Sequence, residues 1–227
     1  MIHLFLRAKH WQLFLLFFAF PFVMQFVAIG GFLSTFPLHI DHEPEPEVII
    51  GMVKSLFKWL PIIIIPSVLG FAGWLWSISV GLHKKLPHGH GLNLTLFKWC
   101  IILPILILIA IFYSLSNIVN EVFHLVETQG ELEEMPTWIG QFFLIFPLVF
   151  LSVGCSIYTY YHTAKTIKLV EKGNTQRKPE FIGEFFLIWF YFIGVWILQP
   201  RINRLQEDDY VTPELDESKN QPTRYDN

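Results

Sequence analysis

Charge is what this chain has least of. Asp, Glu, Lys and Arg make up 15% of its 227 residues, against about 25% in an ordinary soluble domain. Signature loops are missing too: there is no Walker A loop, no dinucleotide-binding GxGxxG, no GxSxG elbow, no HEXXH and no CxxC pair. A nucleotide-driven or redox enzyme is therefore disfavoured, and no cofactor is implied. No basic face is set into a soluble pattern, which excludes nucleic acid as a partner. Cysteine is scarce: Cys100 and Cys155 both fall inside apolar runs and read as small buried hydrophobes, not as a disulfide or metal pair.

Hydrophobic residues fill that space. They reach 53%, with 23 Phe and 8 Trp and a mean hydropathy of +0.46. That composition suits a lipid-facing surface with interfacial anchors better than a soluble core. Five apolar runs stand out, at about 11–36, 59–82, 99–115, 138–161 and 181–199. At about 1.5 Å per residue each is long enough for about 30 Å of hydrocarbon. Trp11, Trp59, Trp99 and Trp138 each begin a run, at the level where an amphipathic ring prefers the headgroups. The first run follows Arg7, Lys9 and His10 as a signal peptide would, but it exceeds an h-region and no small-x-small site follows, so it reads as a retained span. Pro21 and the Gly30-Gly31 pair are expected to kink it or admit a close neighbour.

The expected fold is all-α and polytopic: one domain over 1–206 with about five transmembrane helices. A short interfacial helix is expected over 48–58, where Lys54 and Lys58 are four apart, and Pro61 and Pro66 are expected to bend the start of the second span. Residues 207–227 form an acidic tail expected to be disordered. The basic residues alternate between connections. Lys84, Lys85 and Lys98 fall in one, Lys165, Lys168, Lys172, Arg177 and Lys178 in another, while the connection holding Glu121, Glu127, Glu131, Glu133 and Glu134 has none. This puts the N-terminus in the cytoplasm. A fifth full crossing breaks the alternation by placing Arg201 and Arg204 outside. Five spans with the tail outside remain the expectation, and a re-entrant run with the tail inside is the alternative.

Few polar residues sit at membrane depth. Glu184, one turn inside the fifth run, is the sharpest candidate, either as an anchor pairing with Arg177 or Lys178 or as a group on a transport pathway. Gln25 and Gln141 are milder candidates for which interhelical hydrogen bonding is the default. Gln199, Arg201, Asn203 and Arg204 make a compact polar end suited to lipid phosphate or a partner subunit. His39, Asp41, His42 and Glu43 are weak metal candidates, because their spacing matches no specific site. Asn93-Leu94-Thr95 matches a glycosylation acceptor but falls in a connection expected to be cytoplasmic. Two short echoes, LFKW at 56–59 and 96–99 and IGxFFLI at 139–145 and 182–188, fit coincidence in a Phe/Leu/Ile-rich background.

Glu184-Phe185-Phe186, Trp189, Gly194, Trp196 and Gln199-Pro200-Arg201-Ile202-Asn203, preceded by residues 164–168 and Glu171, resemble a segment of a group of small bacterial multispanning membrane proteins. The resemblance covers roughly 155–204. It implies a bacterial inner membrane and adds weight to Glu184 and Arg201. It carries no activity, so no catalytic residue follows from it. The expectation is a non-enzymatic subunit or scaffold of a membrane transport or envelope assembly, with the bilayer and a membrane protein as partners. A small stand-alone transporter or channel using Glu184 is the alternative, and a membrane-embedded enzyme the third.

Overall fold

A computed structural model describes residues 2–34, 46–87, 91–127, 137–172 and 180–206, and no strand occurs among them. Helix is what an apolar chain of this kind must form, because hydrocarbon offers no partner for a backbone N–H or C=O.

The chain opens with α1 (Ile2–Arg7) and turns at Ala8-Lys9 into α2 (His10–Phe14). The Lys9 N–H donates to the Gln12 side-chain oxygen at 2.9 Å, which caps the new helix. A π turn over Leu15–Ala19 then leads into α3 (Phe20–Ser34). It lies just before Pro21, whose missing N–H and bulky ring a widened turn accommodates. The Gly30-Gly31 pair meets no neighbour: a Cβ on either would touch nothing within 4 Å among the described residues.

Three long helices follow. α4 (Pro46–Gly81, 36 residues) runs unbroken through Pro61 and Pro66, so the stretch 48–58 is not a separate helix but continuous with the helix that carries the second apolar run. α5 (Leu94–Glu127, 34 residues) carries on past Asn117, Asn120 and Glu121. Asn93 caps it by accepting the Leu96 N–H at 3.0 Å, the local role this residue has in the sequon match. α6 (Thr137–Lys172, 36 residues) likewise absorbs the basic stretch holding Lys165, Lys168 and Lys172. Each is about 50 Å long, so it outreaches a hydrocarbon core of about 30 Å, and its polar end continues as helix beyond the apolar part. Polarity marked the end of the apolar stretch here, not the end of the helix.

Among the described residues four stretches are long and apolar enough to cross a membrane: His10–Gly31, Trp59–Lys85, Leu94–His124 and Ile139–Lys172. Only 11–28% of the residues in their apolar windows are buried, so most of those side chains face outward, as lipid contact requires. The fifth run is not one helix. Phe190 (φ −92, ψ 58) divides it into α7 (Ile182–Trp189) and α8 (Tyr191–Gln206).

The described residues form two compact units. One comprises Phe14–Ala72 and Lys98–Tyr158. Within it Phe17 meets Phe71 edge-on with ring centroids 5.9 Å apart, and the Lys54 ammonium lies 5.0 Å from the centre of the Phe123 ring. Cys100 is buried, Cys155 is half-buried, and neither is in a disulfide. The other comprises Met1–Leu13, Gly73–Phe97 and Thr159–Asn227. It takes in α1, the last turns of α4, a 3-10 turn at His83–Lys85, the last turns of α6, and the α7–α8 pair. Among the described residues the buried polar side chains lie in this unit.

Candidate functional site

In α8 the residues Gly194, Val195, Leu198, Gln199, Ile202 and Leu205 are buried, a stripe at helical spacing. Trp196 and Ile197, on other faces, are each 45% exposed. Trp74 and Ile78 from α4, Leu82 just after it, and Thr163, Thr166 and Ile167 from α6 are buried in the same unit. A run of this composition has apolar residues on every side, so the core uses one stripe and leaves the rest for lipid.

Two polar lattices lie in that core. Glu184, 5% exposed, accepts from Lys168 Nζ at 2.9 Å and from Arg201 Nη2 at 2.8 Å. Glu171 takes the fork of the same guanidinium, accepting from Nε at 2.7 Å and Nη2 at 2.6 Å. Lys168 Nζ lies 3.9 Å from Glu171. Two carboxylates and two cations thus close a neutral ring, with Arg201 in the bidentate geometry that makes such pairs strong. Burial alone pushes the Glu184 carboxyl up, but the bonds from Lys168 and Arg201 outweigh it and hold it below the usual carboxylate value. The Glu171 grip in turn holds Arg201 above the ordinary guanidinium value.

Gln199 is fully buried at the centre of the second lattice. Its Oε1 accepts the Trp74 indole N–H at 2.8 Å. Its Nε2 lies 2.9 Å from the Phe5 carbonyl, 3.0 Å from that of Ala8 and 3.0 Å from Asn203 Oδ1, so two N–H bonds are shared among three acceptors. Phe5 and Ala8 flank the end of α1, and their carbonyls are among those a helix terminus leaves open. Gln199 therefore staples the α1–α2 corner to α4 and α8. Nearby, Thr163 Oγ1 donates to the Thr159 carbonyl at 2.9 Å, which leaves Ser79 as the donor in the 3.0 Å bond between the two hydroxyls. His162 is fully buried and lies against the Phe97 ring with centroids 4.5 Å apart.

The other candidates lie elsewhere. Arg204 is exposed, and Asn203 is half-buried on the Gln199 lattice. Gln25 is exposed on α3. Gln141 belongs to the other unit, where its side-chain oxygen is buried and meets no donor among the described residues. His39, Asp41, His42 and Glu43 lie outside the described residues, as do Arg177 and Lys178; Glu184 pairs with Lys168 and Arg201. Among the described residues no three His, Cys, Asp or Glu side chains cluster. Sequence reasoning left Lys168 and Glu171 without a role, and overlooked Trp74. The signal for the first two was available: they are three apart on one helix face, and the apolar period runs on past Tyr161 through Ala164, Ile167 and Val170.

Among the described residues, the fold and this site define an all-helical protein with four candidate membrane-crossing helices and a partly buried ionic lattice in the unit that holds α7 and α8. No family model matches the chain, and no curated protein or solved structure matches it either.

Proposed function

We propose that this chain is a multi-pass protein of a bacterial inner membrane that serves as a non-enzymatic subunit or scaffold of a transport or envelope assembly. The observation carrying this reading is the closed ring of Glu184, Lys168, Glu171 and Arg201. A proton-translocating carboxylate needs a protonation state that changes, and a cation-translocating one needs its charge free for the ion. Glu184 is held ionised by two cations, and Arg201 is held by two carboxylates, which suits an anchor. Affinity purification from native membranes in mild detergent, with mass spectrometry, tests the reading. A stoichiometric membrane partner is expected. Recovery as a lone monodisperse particle would overturn it and favour a stand-alone transporter, for which Glu184→Gln should abolish flux.

The topology belongs to the same proposal. Four helices cross, the N-terminus is cytoplasmic, and α7 and α8 form a re-entrant hairpin that returns the tail to the cytoplasmic side. The 2.8 Å bond from Arg201 to Glu184 supports this, since it brings both ends of the last run to one level. So does the charge. Arg7, Lys9, Lys84, Lys85, Lys165, Lys168, Lys172, Arg201 and Arg204 all belong to the unit containing the N-terminus and the hairpin, as positive-inside placement requires.

A further inference from the structure

Three basic segments meet at the C-terminal end of α8. Asn203 donates its side-chain amide to the Ala8 carbonyl at 3.4 Å, which sets the α1–α2 corner beside the last turns of the helix. Lys85 donates Nζ to the Leu205 carbonyl at 2.8 Å and thereby brings the 3-10 turn to the same place. Arg7, Lys9, Lys84, Lys85 and Arg204 are thus gathered around one helix end, each exposed. The three segments, 7–9, 83–86 and 203–206, contain no Asp or Glu. Glu171 and Glu184 do not neutralise them, because Lys168 and Arg201 already hold both. Among the described residues, Arg7, Lys9, Lys84 and Arg204 form no ion pair.

Beside these cations the surface is apolar. The His10 ring lies 4.7 Å from that of Trp196, which fixes α2 against α8. Trp11 and Trp196 next to that joint are each 45% exposed, and Leu4 is 71% exposed. A ligand matched to both features carries a negative head and hydrocarbon tails.

We propose that this collar is a binding site for anionic phospholipid, with the phosphate on Lys9, Lys84 and Arg204 and the acyl chains along Trp11 and Trp196. The proposal rests on the membrane reading above but not on which side the tail occupies. The competing charge is Glu207-Asp208-Asp209, directly after Gln206, which would satisfy the cations but leave the tryptophans uncovered.

The test uses the full chain in phosphatidylcholine micelles titrated with phosphatidylglycerol, with retained lipid read by native mass spectrometry. Phosphatidylglycerol should be retained in preference to phosphatidylcholine, and less so as salt rises. The triple variant Lys9→Gln, Lys84→Gln, Arg204→Gln should weaken retention on the order of a hundredfold, at about fivefold per cation. The charge-keeping variant Lys9→Arg, Lys84→Arg, Arg204→Lys should keep it. Circular dichroism checks that the triple variant remains helical; if it does not, Arg204→Gln alone should cost about fivefold. Equal retention of the two lipids, or unchanged retention by a folded variant, would overturn the proposal. Displacement by inorganic phosphate alone would make the collar a simple anion site. Retention that appears only after removal of 207–227 would make the tail its occupant.

Discussion

Glu184 and Arg201 stand 17 residues apart and are joined at 2.8 Å. On a straight helix that separation is about 26 Å, far beyond the reach of two side chains. The last apolar run therefore folds back at Phe190, and the ion pair closes the fold. Removing Arg201 strips the fork from Glu171 and leaves Glu184 with Lys168 alone. We expect Arg201→Met to lower stability by about 2–3 kcal/mol, less than for a fully buried pair because Arg201 is 30% exposed. Arg201→Lys should fall between, since an ammonium keeps the charge but not the fork. Thermal unfolding in detergent reads both; equal loss in the two variants would show that the fork alone matters, and no loss in Arg201→Lys that charge alone does.

The fold-back also needs Gly194. A Cβ built there would overlap the backbone carbonyl of Leu187, which cannot swing aside as a side chain can. Gly194→Ala should therefore prise the hairpin apart and cost at least the 1–3 kcal/mol typical of overpacking. Gly183, on α7, is the control, because a Cβ there meets nothing within 4 Å. Gly183→Ala should be neutral or stabilising, as alanine is the better helix former. Equal melting temperatures for the two variants would contradict the close approach.

Acid should act on the same lattice. The folded-state pKa of Glu184 is depressed, through the bonds from Lys168 and Arg201 that outweigh its burial. The stabilisation it brings is therefore fully present above the ordinary carboxylate value and is lost as pH falls through the depressed one. The melting temperature should stay flat near neutrality and fall on the acid side. In Glu184→Gln the acid limb should be shallower, because one of the protons taken up on unfolding is removed. Parallel acid limbs for the two proteins would mean that Glu184 is not linked to folding.

The helical class and the location of the apolar runs were legible because both follow from composition and length. Helix ends were not. Asn117, Asn120 and Glu121 signalled a stop, yet α5 continues to Glu127, since a helix leaving lipid has no need to end where its charge begins. The break at Phe190 was also invisible. It carries no proline or glycine, and IGEFFLI at 182–188 reads like IGQFFLI at 139–145, which lies inside a continuous helix. What differs is tertiary: Glu184 has Lys168 and Arg201 to close on, and Gly194 allows the backbones to touch. Glu184 and Arg201 were each visible as costly residues, but nothing in sequence paired them across 17 positions. Gln199 was read as a docking residue because it follows an apolar run, whereas its polar atoms are used within the chain, on Trp74, Phe5, Ala8 and Asn203.

The side of the tail separates the two topologies. α7 has 8 residues and reaches about 12 Å, well short of a bilayer core. In the proposed topology such a hairpin sits in one leaflet, and Phe186, Trp189 and Phe190, exposed at and near its turn, suit lipid contact there. In the same topology both ends lie on the side of Arg7 and Lys9, and the tail beyond Gln206 is expected on the cytoplasmic side. An epitope at the C-terminus should resist added protease in sealed spheroplasts and be cleaved after lysis. Digestion before lysis would mean that the last run crosses, in which case Arg201 could not hold Glu171 and Glu184 on the near side. A cysteine placed at Arg204 should behave as the tail does, labelled by a membrane-impermeant maleimide only once the membrane is opened. Protection of both probes would put the tail on the side proposed for the N-terminus, as an even number of crossings requires, and labelling of the intact cells would favour an odd one.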